Sequence, residues 1–372
     1  MHIIWFNWKD RRNPQAGGAE LVTEELAQRL VQDGHTVTLV VAGFHGAPAG
    51  EVVHGVQVVR VGSRYSVYWK AYRYYVRSHR DTADLVIDEM NTIPFFASWY
   101  ARKPTFLFVH QLARQIWFYE SWFPLNVIGY LLEPVYLWLL RASRVITVSE
   151  STKRDLMRFG FRADRISIIS EGLDSELEPL TQQALAAIQK FPQPILLSLG
   201  AIRPMKRTHH IGKAFEIAKQ EIPKLQLIVA GAAVGRYGKR VLRMIERSPY
   251  ASSISYRGPV SREEKIKLLQ CSHLLCATSV KEGWGLIVTE AASQGTPAVV
   301  YDVDGLRDSV KDEVTGVVCK NKTPSGLAKG VVVMLGAATS SAAYVVMREK
   351  ARKWSNNIKF DQMYKDFISI IS

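Results

Sequence analysis

The chain of 372 residues carries 48 Lys and Arg against 34 Asp and Glu, a formal net charge of +14, and three cysteines. That length exceeds one ordinary domain and suits two of about 150–200 residues each. Cys271, Cys276 and Cys319 are odd in number, lie in apolar surroundings and form no Cys-x-x-Cys pair, which excludes a disulfide framework and reads as buried thiols in a reducing compartment.

His2–Phe6 is a short apolar run with no basic region before it and no small-residue cleavage site, so it reads as a first strand and not as a signal peptide. A polar loop then leads to Gly17-Gly18-Ala19-Glu20, residues 21–33 have helical spacing closed by Gly34, and Thr36–Val41 is the next strand. Between Glu51 and Asp81 there is no acidic residue. Tyr65, Tyr68, Trp69, Tyr72 and Tyr75 follow helical spacing there, and Lys70, Arg73, Arg77 and Arg80 form a separate stripe. An aromatic face beside a cationic one suits an anionic membrane surface. Trp117, Phe118, Trp122 and Phe123 add a second aromatic cluster. The stretch 117–140 comes closest to a membrane span, but Glu120, Pro124, Glu133 and Pro134 interrupt the ~20 uncharged apolar residues a span requires.

Further strands are expected at 84–88, Thr105–Val109, 144–148 and 166–169. The polar, weakly patterned segment 175–192 reads as a linker. The pattern then restarts, with strands at 194–199, Gln226–Ala230, 253–256, Leu274–Ala277 and 297–301, and a helical tail over 348–371 anchored by Trp354, Phe360, Met363 and Phe367. Alternation of strands and helices implies parallel sheets covered by helices. The basic surplus lies in the second half: residues 1–175 hold 20 basic and 17 acidic side chains, residues 176–372 hold 28 and 17. Such a balance fits a phosphorylated substrate, anionic lipid or nucleic acid. With neither zinc-finger spacing nor an RNA-binding aromatic motif, nucleic acid ranks last.

The most informative stretch is Glu282-Gly283-Trp284-Gly285-Leu286-Ile287-Val288-Thr289-Glu290. A loop with two glycines opens a short helix whose free N–H groups can face an anion, and a carboxylate stands on either side to hold hydroxyls. It resembles the E-x7-E signature of retaining family-4 (group 1) glycosyltransferases. The resemblance extends over nearly the whole chain and implies a GT-B fold. In that fold two Rossmann-like domains with parallel sheets face each other across a cleft, and a C-terminal helix crosses back. The corresponding boundaries are an acceptor domain at 1–175, a nucleotide-sugar domain at 176–347, and a helix at 348–372 packing on the first domain.

Carried over residue by residue, the resemblance gives Gly17 and Gly18 to the donor diphosphate. Lys206, six positions after Gly200, becomes a phosphate clamp. The family usually has an arginine directly after that glycine. Here the position is Ala201, and Arg203 is the expected substitute. Pro259 and Val260, after a strand end, resemble the segment that holds the nucleobase. Gly283, Trp284, Gly285 and Leu286 line the donor, Glu282 binds donor-sugar hydroxyls and Glu290 the ribose. His110, at the carboxyl end of a strand, contacts the transferred sugar, so that His110 and Glu282 are the catalytic pair. Glu171-Gly172-Leu173-Asp174 resembles an Asn-Gly-Val-Asp interdomain turn, with Glu for Asn.

No HExxH or Asp-x-Asp donor-metal motif is present. The expectation is a metal-independent, retaining hexosyltransferase without a cofactor, using a UDP- or GDP-sugar, with front-face displacement as its route. Its expected acceptor is a lipid-linked glycan or glycolipid in cell-envelope polysaccharide synthesis. The enzyme would sit peripherally on the cytoplasmic membrane face through Tyr68, Trp69, Lys70, Arg73, Arg77 and Arg80. A nucleotide-sugar epimerase or hydrolase of the same fold, and a non-enzymatic basic lipid-binding protein, are the alternatives.

Overall fold

The computed structural model describes residues 1–169, 171–173, 177, 179–336 and 342–372. Asp174 of the expected turn, and the boundary between 175 and 176, lie outside the described residues. The chain forms two compact units. The first comprises Met1–Trp117, Phe123–Gly172 and Phe360–Ser372; the second comprises Phe118–Trp122 and Leu173–Lys359.

In chain order the first unit contains β1 (His2–Phe6), α1 (Gly18–Gln32), β2 (Thr36–Val41), β3 (Gly50–Val53), β4 (Val56–Arg60), α2 (Val67–Ser78), β5 (Leu85–Met90), α3 (Ala97–Tyr100) and β6 (Thr105–Val109). A short helix, α4 (Trp117–Glu120), which belongs to the second unit from Phe118 onward, is followed in the first unit by α5 (Leu125–Leu140), β7 (Arg144–Thr147), α6 (Glu150–Arg158) and β8 (Ile166–Ile168). Eight strands pair in the order β3-β4-β2-β1-β5-β6-β7-β8, all parallel except β3 against β4. Central strands are apolar on both faces, as in β1, where Ile3, Ile4, Trp5 and Phe6 are all buried. Continuous apolar runs of this kind suit a sheet with helices on both sides.

The second unit contains α7 (Gln182–Ala187), β9 (Ile195–Leu199), α8 (Thr208–Glu221), β10 (Gln226–Ala230), α9 (Gly235–Glu246), β11 (Ile254–Gly258) and α10 (Arg262–Cys271). It continues through β12 (Leu274–Ala277), α11 (Leu286–Ser293), β13 (Ala298–Tyr301), β14 (Gly316–Cys319), α12 (Pro324–Leu335) and α13 (Ala342–Ser355). Its six strands are parallel, in the order β11-β10-β9-β12-β13-β14. The last helix, α14 (Phe360–Ile371), belongs to the first unit. There Phe367 stacks on Trp5 with ring centroids 5.5 Å apart, Tyr364 donates to Asp33 at 2.6 Å, and Arg29 pairs with Asp361 at 3.0 Å.

Four readings of the sequence need correction. The β3–β4 hairpin and β14 were not anticipated: β3 and β4 are short pieces at a sheet edge, and β14 is four residues long. The tail is two helices, not one, because 356–359 turns between α13 and α14 and puts them in different units. The segment 175–192 is not wholly a linker, since it holds α7 with Leu185 buried. The aromatic stripe of α2 is only partly a surface: Tyr75 is fully buried, and Tyr68 packs on Phe95 at 4.8 Å within the core. Trp69 stays exposed beside Lys70, Arg73 and Arg77, whereas Arg80 is half-buried.

Candidate active site

In the second unit the strand order reverses between β9 and β12: the chain moves outward from β9 to β10 and β11, then returns to the other side of β9. Open parallel sheets bind ligands beyond the carboxyl ends of their strands at such a switch point. The loop after β9 carries Arg203 and Lys206, and the loop after β12 carries Ser279 and Glu282. Lys206 Nζ lies 2.5 Å from Glu282 Oε1, across 76 positions of sequence, and Ser279 Oγ donates to the same oxygen at 2.5 Å. Arg207 holds the two loops together. Its Nε and Nη2 donate to the Thr278 and Ser279 carbonyls at 2.8 and 2.7 Å, and Thr278 Oγ1 donates back to the Lys206 carbonyl at 2.9 Å.

Burial by itself pushes the Glu282 carboxyl up. The Lys206 charge, the hydrogen bonds from Lys206 and Ser279, and the Arg203 charge outweigh it and hold the group below its ordinary value. Glu282 is therefore an anion at neutral pH, fixed by two donors on one oxygen, with acceptor capacity left for hydroxyls. Its position depends on Gly305, where an added Cβ would fall 2.4 Å from the Glu282 carbonyl oxygen. Gly285, at φ +109, then turns the chain into α11. This left-handed conformation favours glycine and leaves the first amides of α11 without intrahelical acceptors. One turn into α11, buried Glu290 accepts Lys265 Nζ at 2.7 Å. Trp284 stacks on Trp354 with centroids 6.5 Å apart, and its indole N–H is buried without an acceptor among the described residues.

The first unit has its own switch point, between β1 and β5. Asn91, after β5, donates to Asn7, after β1, at 2.7 Å. Beneath them Glu89, fully buried in β5, accepts from the Trp5 indole at 2.8 Å and the Thr23 hydroxyl at 2.7 Å, and faces His110 Nε2 at 3.2 Å. Burial pulls the His110 pKa down, but the hydrogen bond to Glu89 and the negative charges of Glu89, Glu171 and Glu20 raise it above its ordinary value. Glu171 is buried too, and desolvation pushes its carboxyl up to about 7 despite the opposing effect of His110. Its Oε2 has no hydrogen-bond partner among the described residues. His110 and Glu171 are thus two buried titratable groups, each of which shifts the other's protonation through its charge.

Two family models cover almost the whole chain: "Glycosyltransferase Family 4" over residues 16–177 and "Glycosyl transferases group 1" over residues 183–357. The chain belongs to the group 1 (family 4) glycosyltransferases. A D-inositol 3-phosphate glycosyltransferase of Salinispora tropica is 24% identical over 247 residues, 62% of this chain and 50% of the relative. The chain thus spans about half the length of the curated relatives it matches. Among solved structures, sucrose-phosphate synthase from Thermosynechococcus elongatus superposes with TM-score 0.78 at 16% identity, covering 100% of this chain and 98% of the other. Anabaena Alr3699/HepE, solved in complex with UDP-glucose, superposes with TM-score 0.74 at 18% identity, covering 100% and 99%. These likenesses establish the GT-B fold.

Within this group 1 glycosyltransferase, Lys206 and Glu282 meet directly, and Gly283 to Leu286 run from Glu282 into α11. Arg203 lies 4.0 Å from Glu120, whose Oε1 also accepts the Met205 amide at 3.2 Å. Pro259 is exposed after β11, and Val260 packs partly against the core. Gly17 donates to Glu20 at 2.6 Å, where Lys9 also pairs at 3.3 Å, so the loop before α1 is pinned by its own helix. Arg207, a basic residue to which the sequence analysis gave no role, is the tie between two loops. Sequence reasoning missed Glu89, Ser279, Lys265 and Glu120. For Glu89 the signal was present: two acids, Asp88 and Glu89, stand inside an otherwise apolar strand, a pattern tolerated only where the carboxylates have partners. Among the described residues no group of three or more His, Cys, Asp or Glu is placed to hold a metal, and no helix is long and apolar enough to cross a membrane.

Proposed function

We propose that the chain transfers a hexose with retention from a UDP- or GDP-sugar to an acceptor hydroxyl, independently of metal. The observation that carries this reading is the Lys206–Glu282–Ser279 constellation at the switch point of the second sheet, beside the free end of α11. An anionic diphosphate competes with Glu282 for the Lys206 ammonium. Once Lys206 turns to phosphate, the Glu282 carboxylate is free to accept from sugar hydroxyls. Arg203 supplies the second cation, and a nucleoside diphosphate that leaves with growing negative charge needs both. Glu290, which shares its carboxylate with Lys265, is assigned to the ribose, and Pro259 and Val260 to the base. In the first unit His110, held by Glu89, is assigned to the hydroxyls of the reacting sugar, and the Gly17-Gly18 loop to the diphosphate. No side chain is assigned as a nucleophile. The leaving phosphate takes the acceptor proton in a front-face displacement.

For the acceptor we infer a lipid-linked glycan or glycolipid in cell-envelope polysaccharide synthesis, met at the cytoplasmic membrane face. The exposed cations of α2 and the basic balance of the chain support this reading. A thermal-shift panel of UDP-, GDP- and ADP-sugars tests the donor site. A ligand at 100 times its dissociation constant stabilises by ~2.7 kcal/mol, so one nucleotide class is expected to raise Tm clearly. No shift with any nucleotide would reject the donor assignment. A β-linked product from an α-linked donor would reject retention, and free sugar released without acceptor would favour a hydrolase.

A further inference from the structure

The outer face of α5 is an exposed apolar surface that the candidate site does not use. Gly129, Glu133, Tyr136, Leu137 and Leu140 turn inward. The opposite face presents Ile128, Leu131, Leu132, Val135, Trp138 and Leu139, all exposed, preceded by exposed Phe123 and Leu125. Within the helix four of them, Leu131, Leu132, Val135 and Trp138, are more than half exposed, as is Phe123 before it. The one charged residue of the helix, Glu133, is turned away. It accepts the Ala113 and Arg114 amides at 2.7 and 2.6 Å and the Trp117 indole at 3.1 Å, so it caps the preceding loop. The outward face therefore bears no charge along sixteen residues, about 24 Å of helix. Soluble surfaces rarely carry apolar patches of that extent without a partner.

What borders the patch selects the occupant. Arg141 caps the end of α5 with its guanidinium 3.9 Å from the Trp138 ring centroid, and Arg144 is exposed just beyond. The helices α2, α3 and α5 lie on one face of the sheet, the face of Phe6, Val86 and Met90. Aromatic contacts link them: Tyr72 to Tyr100 at 4.9 Å, Phe96 to Trp99 at 4.8 Å, and Phe96 to Tyr136 at 6.4 Å. Trp69 and Trp99 are exposed along this row. On α2, Lys70, Arg73, Tyr74, Arg77 and Ser78 line an open hollow of about 420 Å³, large enough for a phosphate-bearing headgroup. An apolar ridge flanked by tryptophans and cations matches the acyl boundary and headgroup layer of an anionic bilayer. A second copy of the chain fits worse, since a two-fold contact through α5 would bring the same cations against each other.

We propose that α5 lies in the membrane interface, inserting Leu131, Leu132, Val135 and Trp138 among the acyl chains of an anionic leaflet while α2 and Arg141 hold its headgroups. At about 24 Å the helix is shorter than the ~30 Å hydrocarbon core, and its inner face is occupied by the sheet, so it lies in the leaflet and does not cross it. The purpose of this contact rests on the lipid-linked acceptor reading; the contact itself is measured without acceptor.

The experiment is flotation of the full chain with vesicles of phosphatidylglycerol and phosphatidylcholine, in low salt and in 0.5 M NaCl (about a 4 Å screening length). The parent is compared with Leu131→Ser/Leu132→Ser/Val135→Ser and with Lys70→Gln/Arg73→Gln/Arg77→Gln. Transfer of a Leu or Val side chain is worth roughly tenfold or more in partition, so the serine variant is expected to bind at least ~100-fold more weakly at both salt concentrations. The parent should retain binding in high salt, and its tryptophan fluorescence should be quenched by lipids brominated on the acyl chains. Donor thermal shifts, read in parallel, should be equal in parent and serine variant, which separates loss of the membrane contact from loss of the fold or donor site. Binding that vanishes in salt and is unaffected by the serines would overturn insertion in favour of adsorption through α2. A parent that ignores vesicles but dimerises, with the serine variant monomeric, would overturn it in favour of a second copy.

Discussion

Lys206→Met removes the ammonium beside Glu282 and keeps most of the side-chain stem. The two side chains are 29% and 14% exposed, so the carboxylate loses its cation while staying largely out of water. Breaking a fully buried pair costs about 3–5 kcal/mol; the exposure of the lysine brings the expectation to about 2 kcal/mol. For a unit of this size that lowers Tm by about 4–8 °C. The loss should depend on pH in a defined direction. In the parent, Glu282 is held below its ordinary 4.5, so its contribution is present above that value and fades as pH falls through the folded pKa. In the variant, burial dominates and the folded pKa rises, so an ionised Glu282 destabilises at neutral pH. The gap between parent and variant is then full at pH 7–8 and narrows toward pH 4.5. Urea unfolding from pH 4.5 to 8 measures it, with Lys206→Met/Glu282→Gln expected to recover most of the loss because no unpaired charge remains. A gap independent of pH, or a double variant as unstable as the sum of the singles, would refute the reasoning.

Glu89→Gln should lower the His110 pKa. The raised folded pKa of His110 contributes stability below 6.5 that is lost as pH rises through it, so the Tm penalty of the variant should be larger at pH 6 than at pH 9, as calorimetry can record. Glu171→Gln should act in the opposite direction. A carboxyl raised from 4.5 to about 7 opposes folding once ionised, so the glutamine variant should gain up to about 3 kcal/mol at pH 8 and nothing near pH 4.5; equal effects at both pH values would reject the burial assigned to it. Gly305→Ala forces a Cβ against the Glu282 carbonyl at φ +78 and should cost about 1–3 kcal/mol together with the thermal shift given by the donor nucleotide; an unchanged donor shift would show that the loop position does not matter.

The central strands were legible because a strand buried on both faces must be an apolar run, as at β1 and β6. The neighbours Lys206 and Glu282 were legible as residue types in sequence motifs, but nothing local brings them within 2.5 Å. That follows from β12 pairing with β9 and from Arg207 bridging the loops, a tertiary role that a basic residue in a turn does not announce. Periodicity found the two stripes of α2 but not their orientation, since an inward and an outward aromatic stripe share one spacing. Tyr75 is buried and Trp69 is not, because only one of them faces the sheet. In α5 both faces are apolar, so no amphipathic pattern existed to read, and the outward ridge emerges only when burial is known. The mutual dependence of His110, Glu89 and Glu171 was hidden for a related reason: they come from three separate segments.

The place of α14 has a consequence for the order in which the chain matures. Its Phe367 completes the stack with Trp5, yet the 187 residues from Leu173 to Lys359 in the second unit separate it from the rest of the first unit. At roughly 5–20 residues per second on the ribosome, the sheet around Trp5 and Phe108 waits about 10–40 s for its last helix. During that interval the second unit, whose segment from Leu173 onward is continuous, can close first. Nascent chains stalled after residue 359 should therefore display a protease-resistant second unit beside a first unit that still exposes its core to a chaperone.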